Sequence, residues 1–264
     1  MYADQHIHTS FSGDSNTQPE IQIEKAISLG MKEICITDHH DYDVISDINF
    51  NLNLPLYFSS LNGFIEKYKR DIIIHKGIEL GYQHHISEYM QKLTEEYSFD
   101  FVIGSVHFIN GLDPYYPEYF NKYGSSSYEL YFKNVYDMVN DIDCYDSLGH
   151  LDYIVRYGRE YGLKYSYSQY SDYIDEILKK VISVGKALEC NTSALSKGMN
   201  EPNPCRDVFI RYKELGGELI TIGSDAHSPE FLGGCFDTVG EMLKKCGFNY
   251  YFIYKERKPC ANKL

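Results

Sequence analysis

Residues 33–41 read Glu33-Ile34-Cys35-Ile36-Thr37-Asp38-His39-His40-Asp41, a short apolar run that stops abruptly in four ionisable side chains. The apolar half has the length and composition of a strand buried on both faces. Polar groups at its end would be costly if buried without partners, so they face solvent or bind something. The same pattern recurs along the chain. Further apolar runs end near residue 5, near Ile78, at Val106, near Leu148, at Leu188 and around Ile222. Nearly all exit into His, Asp or Glu: His6 and His8, Glu79, His107, His150 with Asp152, and Asp225 with His227.

Helical stretches separate most of these runs. About seven strands alternating with helices are the pattern of parallel βα units closed into a barrel, where the C-terminal strand ends converge on one face and carry the chemistry. No internal repeat, low-complexity segment or linker interrupts residues 1–264, which predicts a single α/β domain. The first helix is expected just after Thr17, with Glu20 completing a capping box, Pro19 in the first turn and Gly30 as the stop. An eighth run, Tyr250 to Tyr254, either closes the barrel or packs at its edge. Residues 41–58 carry few helical signals, and residues 110–131 are rich in Tyr, Pro and Gly; both read as long connections that shape a substrate mouth or pack on the barrel.

Composition narrows the function. The 264 residues are 43% hydrophobic, enough for a sizeable core and unlike a disordered chain. The net charge of −13, with no long Lys or Arg run, disfavours nucleic acid as a partner. No apolar run is long enough to span a membrane, and MYADQHIHTS lacks the features of a signal peptide, so a cytoplasmic location is expected. The seven cysteines are scattered and never form a CxxC pair, which suggests neither a disulfide framework nor a zinc ribbon.

What remains is a histidine and carboxylate constellation. His6-Ile7-His8 puts two imidazoles on one side of a strand, within reach of one metal, and Asp225-Ala226-His227 repeats the spacing. Asp14 lies in a loop able to fold back towards the strand end. Asp38 is placed to orient a ligating imidazole, whereas His40 and Asp41 are expected to face solvent. A carboxylate such as Glu79 can bridge two cations, as no imidazole can. His75, His84 and His85 fall outside the pattern and read as structural or surface residues.

These segments resemble the polymerase and histidinol phosphatase (PHP) superfamily, and within it the monofunctional histidinol-phosphate phosphatases. The carriers are DQHIHTSFSGDS (4–15), ITDHHD (36–41), KGIELGY (76–82), GSVHF (104–108), GHLDYIVRYG (149–158), LECNTSALSKGMNEPNP (188–204) and GSDAHSPE (223–230). The resemblance spans nearly the whole chain and implies a distorted (β/α)7 TIM-like barrel with three divalent metal ions, zinc, manganese or iron. By position, it implies one ion on His6, His8, Glu79 and Asp225, a second on Asp14, His39 and His227, and a third on Glu79, His107 and His150. Many members have His in place of Asp14, a departure that favours a harder ion there.

The implied activity is hydrolysis of L-histidinol phosphate, a small phosphomonoester, in histidine biosynthesis. Three divalent ions outweigh three carboxylates, so a phosphate dianion is drawn in despite the acidic chain, and bound water is acidified towards neutral pH. Asp225 and His227 are the candidates for protonating the leaving alkoxide. Arg156, Lys197, His40 and Asn191 are expected to contact substrate, Lys197 standing where the family often has Arg. Tyr115, Tyr116 and Tyr119 are expected to form an aromatic wall. Alternatives from other classes are a sister phosphoesterase acting on a nucleotide, sugar phosphate or phosphotyrosine, a non-catalytic metal-binding module, and an amidohydrolase, for which no strand-end Lys stands in the right order. The sequence leaves the oligomeric state open.

Overall fold

The computed structural model describes residues 3–264. Its frame is a curled, wholly parallel sheet of β1 (Glu33–Ile36), β2 (His39–His40), β3 (Ile73–Gly81), β4 (Phe101–Ser105), β5 (Ser147–Leu148), β6 (Ala187–Asn191) and β7 (Ile220–Gly223). Spatially the order is β1-β3-β4-β5-β6-β7, with β2 also on β3. Strands β4, β5, β6 and β7 are buried throughout, which explains their near-continuous apolar sequences. After β1 the ladder breaks at Thr37 and Asp38, then resumes so that His39 lies opposite Glu79 of β3.

The run expected near residue 5 is a stave of the barrel, though without a regular ladder. Cys35 and Thr37 donate their amides to the carbonyls of Asp4 and Ile7 on one side. On the other, Gln5 and His8 donate to Ile222 and Ala226, and Asp225 donates back to His6. The ladder stays irregular because side chains take some of its amides: His6 donates to Asp4 Oδ1 and Ile7 to Thr37 Oγ1. Residues 4–8 thus join β1 to β7 and close the distorted TIM-like barrel.

The Tyr250–Tyr254 run packs at the barrel's edge. It forms β8 (Tyr250–Lys255), paired antiparallel with β9 (Lys258–Lys263). Tyr254 stacks at 5.1 Å on Phe101, in an apolar cluster with Cys35, Ile103 and Ala187. Gln5 fastens the hairpin, accepting from Tyr254 N and donating to Phe252 O. The hairpin's turn residues Glu256 and Arg257 both have positive φ, and both amides are tied to Asp100. Arg257 also donates to Cys144 O and pairs with buried Asp146.

Three local expectations change. The helix Pro19–Ser28 starts with Gln18 at its N-cap and no capping box: Thr17 donates to His227 O, and Glu20 pairs with Lys67. Gly30 does end it, at φ 74°. A helix begins inside the 41–58 segment, at Leu54, because Asn53 caps it by accepting from Leu56 N and Pro55 occupies the first turn. Residues 110–131 are likewise partly helical, over Pro117–Tyr123 and from Ser127 onward.

Removing the Arg257 guanidinium leaves Asp146 buried without its cation. Arg257→Ala is therefore expected to lower unfolding stability by about 2 kcal/mol, read as a lower urea midpoint, while metal content stays that of the parent.

Candidate metal centre and substrate cavity

Nine side chains from the strand exits meet at one end of the barrel. Glu79, near the end of β3, is fully buried and stands at their centre. Its Oε1 lies 2.9 Å from His150 Nε2 and 3.2 Å from His107 Nε2. Its Oε2 lies 2.9 Å from His39 Nδ1, 3.2 Å from His6 Nε2 and 3.5 Å from His8 Nε2. One carboxylate therefore faces five imidazoles. Asp225 Oδ1 is 3.4 Å from His8 Nε2 and 4.0 Å from His6 Nε2. Asp14 does fold back: its Oδ2 is 3.0 Å from His227 Nε2 and 3.7 Å from His39 Nε2.

Three subsets, His8/His39/His227, His6/His8/Asp225 and His39/Glu79/His107, each bring their ligand atoms within 4.8 Å of one another. The donor set fits divalent cations. Among the described residues, His6 Nε2, His8 Nε2, His39 Nδ1 and Glu79 Oε2 are buried without a hydrogen bond, although they converge. Polar atoms left so are costly unless something electrophilic occupies the space between them. The proton affinities are correspondingly uneven. Burial pushes His8 well below the ordinary histidine value, and the neighbouring His227 and His39 add to the shift. Burial opposes protonation of His6 too, but Glu189, Glu79 and Asp225 raise it well above that value. Against its own burial, His6, His107 and His39 hold Glu79 well below the usual carboxylate range.

A second layer fixes the imidazoles. His107 Nδ1 lies 2.9 Å from Asp41 Oδ1, and His6 Nδ1 lies 2.5 Å from Glu189 Oε1. Glu189 also accepts from the His150 amide. Among the described residues Asp38 hydrogen-bonds to no imidazole directly; it accepts from Thr9 and Ser12, and Ser12 Oγ in turn sits 3.0 Å from His8 Nδ1. Asp41 faces the cluster and not solvent, being 3% exposed. Period-two alternation could have found it, since His39 and Asp41 share a face that His40 does not. Glu189 was missed altogether, although a carboxylate in the middle of the buried strand Ala187–Asn191 was a signal.

Beside the cluster opens a cavity of about 440 Å³. Asp14, His39, His107, His150, Asp225 and His227 form its floor, and Arg156 and Lys197 stand on its wall. Arg156 is not a surface charge: it is buried against Asp225 (3.0 Å), Asn191 (2.7 Å) and Asn203 (2.7 Å). Asp225 has φ 54°, a strained conformation for a non-glycine residue, and this arginine and the His6 carbonyl hold it in place. Two expected substrate contacts lie elsewhere. His40 points away from the cavity, buried by Tyr89 OH at 2.8 Å and the Leu52 amide, and Asn191 is fully buried behind Arg156. Tyr115 and Tyr116 line the cavity, but Tyr119 is buried with its hydroxyl on Ser127 O. His75 pairs with Glu33, and His84 and His85 with Asp141 and Asp43, all outside the cluster.

The PHP domain family matches residues 4–193, the span holding every one of these site residues except Lys197, Asn203, Asp225 and His227. The chain belongs to the PHP family. Among PHP proteins it is 34% identical, over 97% of its length and 98% of the relative, to a Clostridium acetobutylicum protein named "Probable histidinol-phosphatase". It is 32% identical to the histidinol-phosphatase of Lactococcus lactis, over 98% of this chain and 97% of that one. A crystal structure of histidinol phosphate phosphatase from Lactococcus lactis, complexed with zinc, L-histidinol and phosphate, superposes with a TM-score of 0.89 at 31% identity, covering 98% of both chains. The distorted barrel expected of a PHP protein is therefore the one observed. No helix among the described residues is long and apolar enough to cross a membrane.

Burial lowers the pKa of His40 to about 4. Because the folded value lies below the unfolded one, the unfolded chain binds more protons between these values, and stability is lost as pH falls from about 6.5 towards 4. In a histidine-resolved NMR titration the His40 ring is expected to stay neutral down to pH 5; titration near 6.5 would contradict its placement.

Proposed function

We propose that this PHP protein is a histidinol-phosphatase, a phosphomonoester hydrolase that converts L-histidinol phosphate to L-histidinol and inorganic phosphate in histidine biosynthesis. The observation that carries the reading is the buried ring of five imidazoles around Glu79, in which His6 Nε2, His8 Nε2, His39 Nδ1 and Glu79 Oε2 converge without a hydrogen bond, opening into a cavity that has cations on one wall. Full-length similarity to histidinol-phosphatases, one of them solved with zinc, L-histidinol and phosphate, supports the substrate.

The centre holds three divalent ions, zinc being the one its relative supports. His6, His8, Glu79 and Asp225 hold one; Asp14, His39 and His227 a second; and Glu79, His107 and His150 a third. The distances from Glu79 to both groups of histidines favour it as the bridge. Such ions polarise phosphoryl oxygens and supply hydroxide at neutral pH. The chain's own residues do the rest. Arg156, pinned by Asp225 and two asparagines, presents its charge to the phosphate at a fixed place, and Lys197 adds a second charge on the same wall. Asp225, held ionised beside Arg156, has no proton to give, so His227 on the same floor is the remaining candidate for protonating the leaving alkoxide.

The alcohol end of the substrate carries an ammonium and an imidazole. Asp113 also lines the cavity, and among the described residues no cation pairs with its carboxylate, which accepts only the Tyr115 amide. Around it, Tyr115 packs edge-on against Tyr157 at 5.5 Å, and Tyr157 against Tyr153 at 5.2 Å. A carboxylate set among aromatic rings suits an organic cation, so Asp113 receives the ammonium while Tyr115, Tyr116 and Tyr157 wall the imidazole.

Purified protein is expected to release phosphate from L-histidinol phosphate, to lose that activity to a chelator, and to contain close to three metal ions per chain; chelator-resistant turnover would overturn the reading. Asp113→Asn is expected to raise KM for L-histidinol phosphate about tenfold to a hundredfold, with little effect on an aryl phosphate lacking an amine. Equal effects on both substrates would remove Asp113 from recognition.

A further inference from the structure

Three strand-end glycines press against polar atoms of the second layer. A Cβ on Gly81, the last residue of β3, would lie 1.7 Å from Asp41 Oδ1. On Gly149, just past β5, it would lie 2.3 Å from Ser105 Oγ. On Gly223, the last residue of β7, it would lie 2.3 Å from His6 Cβ and 2.8 Å from Glu189 Oε1. No side chain longer than hydrogen fits at any of them unless its neighbour moves.

The atoms in these notches are the ones that hold the cluster. Asp41 Oδ1 is the oxygen 2.9 Å from His107 Nδ1. Ser105 Oγ donates 2.7 Å to Glu79 Oε1. Glu189 Oε1 is the oxygen 2.5 Å from His6 Nδ1. Elsewhere, tight glycines meet atoms that bond to no cluster side chain: Gly217 meets the Tyr212 ring at 2.4 Å, Gly158 the Tyr128 hydroxyl at 2.2 Å and Gly13 the Asn49 carbonyl at 2.3 Å. From this coincidence we propose that Gly81, Gly149 and Gly223 are positioning residues of the metal centre, each leaving a notch that seats the partner orienting one cluster side chain.

The reason is geometric. In a parallel barrel the wall is built of backbone, and a second-layer group must approach that wall closely to reach the far nitrogen of an inward-facing imidazole. A methyl group at the notch pushes the carboxylate off its line, the ring loses its fixed tautomer and orientation, and the ligand set loosens. The effect acts through Asp41, Ser105 and Glu189, so it differs from ordinary overpacking, which lowers stability without singling out metal affinity.

The inference rests on the metal-centre reading, and its test separates the two. Zinc affinity is measured by chelator competition, with metal per chain by elemental analysis and thermal unfolding of the metal-stripped protein alongside. Parent protein that binds no zinc would fail the metal reading itself. With zinc-binding parent, Gly81→Ala is expected to weaken the weakest-held ion about tenfold to a hundredfold, Asp41→Ala to do the same, and the double variant to be no worse than either alone, because both act on one interaction. Gly217→Ala is expected to lower the unfolding temperature and leave zinc affinity unchanged. Should Gly81→Ala not fold, Gly149→Ala and Ser105→Ala form the same cycle around Glu79. Glycine variants that keep parental zinc affinity, or a double variant in which affinity returns, would overturn the proposal.

Discussion

The constraint on which the rest depends is a single buried carboxylate, Glu79, ringed by the imidazoles of His6, His8, His39, His107 and His150. These histidines come from the closing stave, β2 and the exits of β4 and β5, so contact with one carboxylate demands that every stave end at the right height. The break between β1 and β2 is one consequence, since it sets His39 opposite Glu79. Another is the crowd of buried polar groups behind the ring, among them Asp4, Asp38, Asp41, Asp152 and Glu189. A group so placed is tolerated only when hydrogen-bonded or charge-paired, and each of these is.

Polarity at one end of the barrel is balanced by packing elsewhere. At the barrel's edge the β8–β9 hairpin packs Tyr254 and Phe252 against Cys35, Phe101, Ile103 and Ala187, and it fastens itself through Gln5, Asp100 and Asp146. The molecule thus separates two jobs that compete in a small core: one region excludes water and stabilises, while the other keeps charges poised. Arg156 shows how far this goes, since its buried guanidinium serves the cavity only because Asp225, Asn191 and Asn203 satisfy it on the protein side.

The barrel and its cluster were legible because strand exits in this chain break so sharply from apolar to ionisable. All nine expected cluster side chains meet, since period two and the convergence of parallel strand ends are strong constraints. What escaped depended on neighbours distant in sequence. Thr17 looks like a helix cap until His227 O arrives to accept its hydroxyl. His40 resembles its neighbour His39 in composition, but alternation turns it to the other face, under Tyr89. Asn191 shares a segment with Lys197, which lines the cavity, yet lies one layer too deep. Asp113 carries no local signal at all; its significance arises from the cavity it enters and from a carboxylate with which, among the described residues, no cation pairs.

The closing stave also shapes how the chain reaches its native state. Residues 4–8 emerge more than two hundred residues ahead of their partners on one side, Ile222 and Ala226. Gln5 waits longer still, for Phe252 and Tyr254. Pairings of such high sequence separation form slowly, because loop-closure entropy is lost before contacts compensate for it. An incomplete chain holds His6 and His8 without Asp225, and therefore holds no finished centre. The ring around Glu79 is therefore complete only once the barrel closes and residues 4–8 have found both of their neighbours.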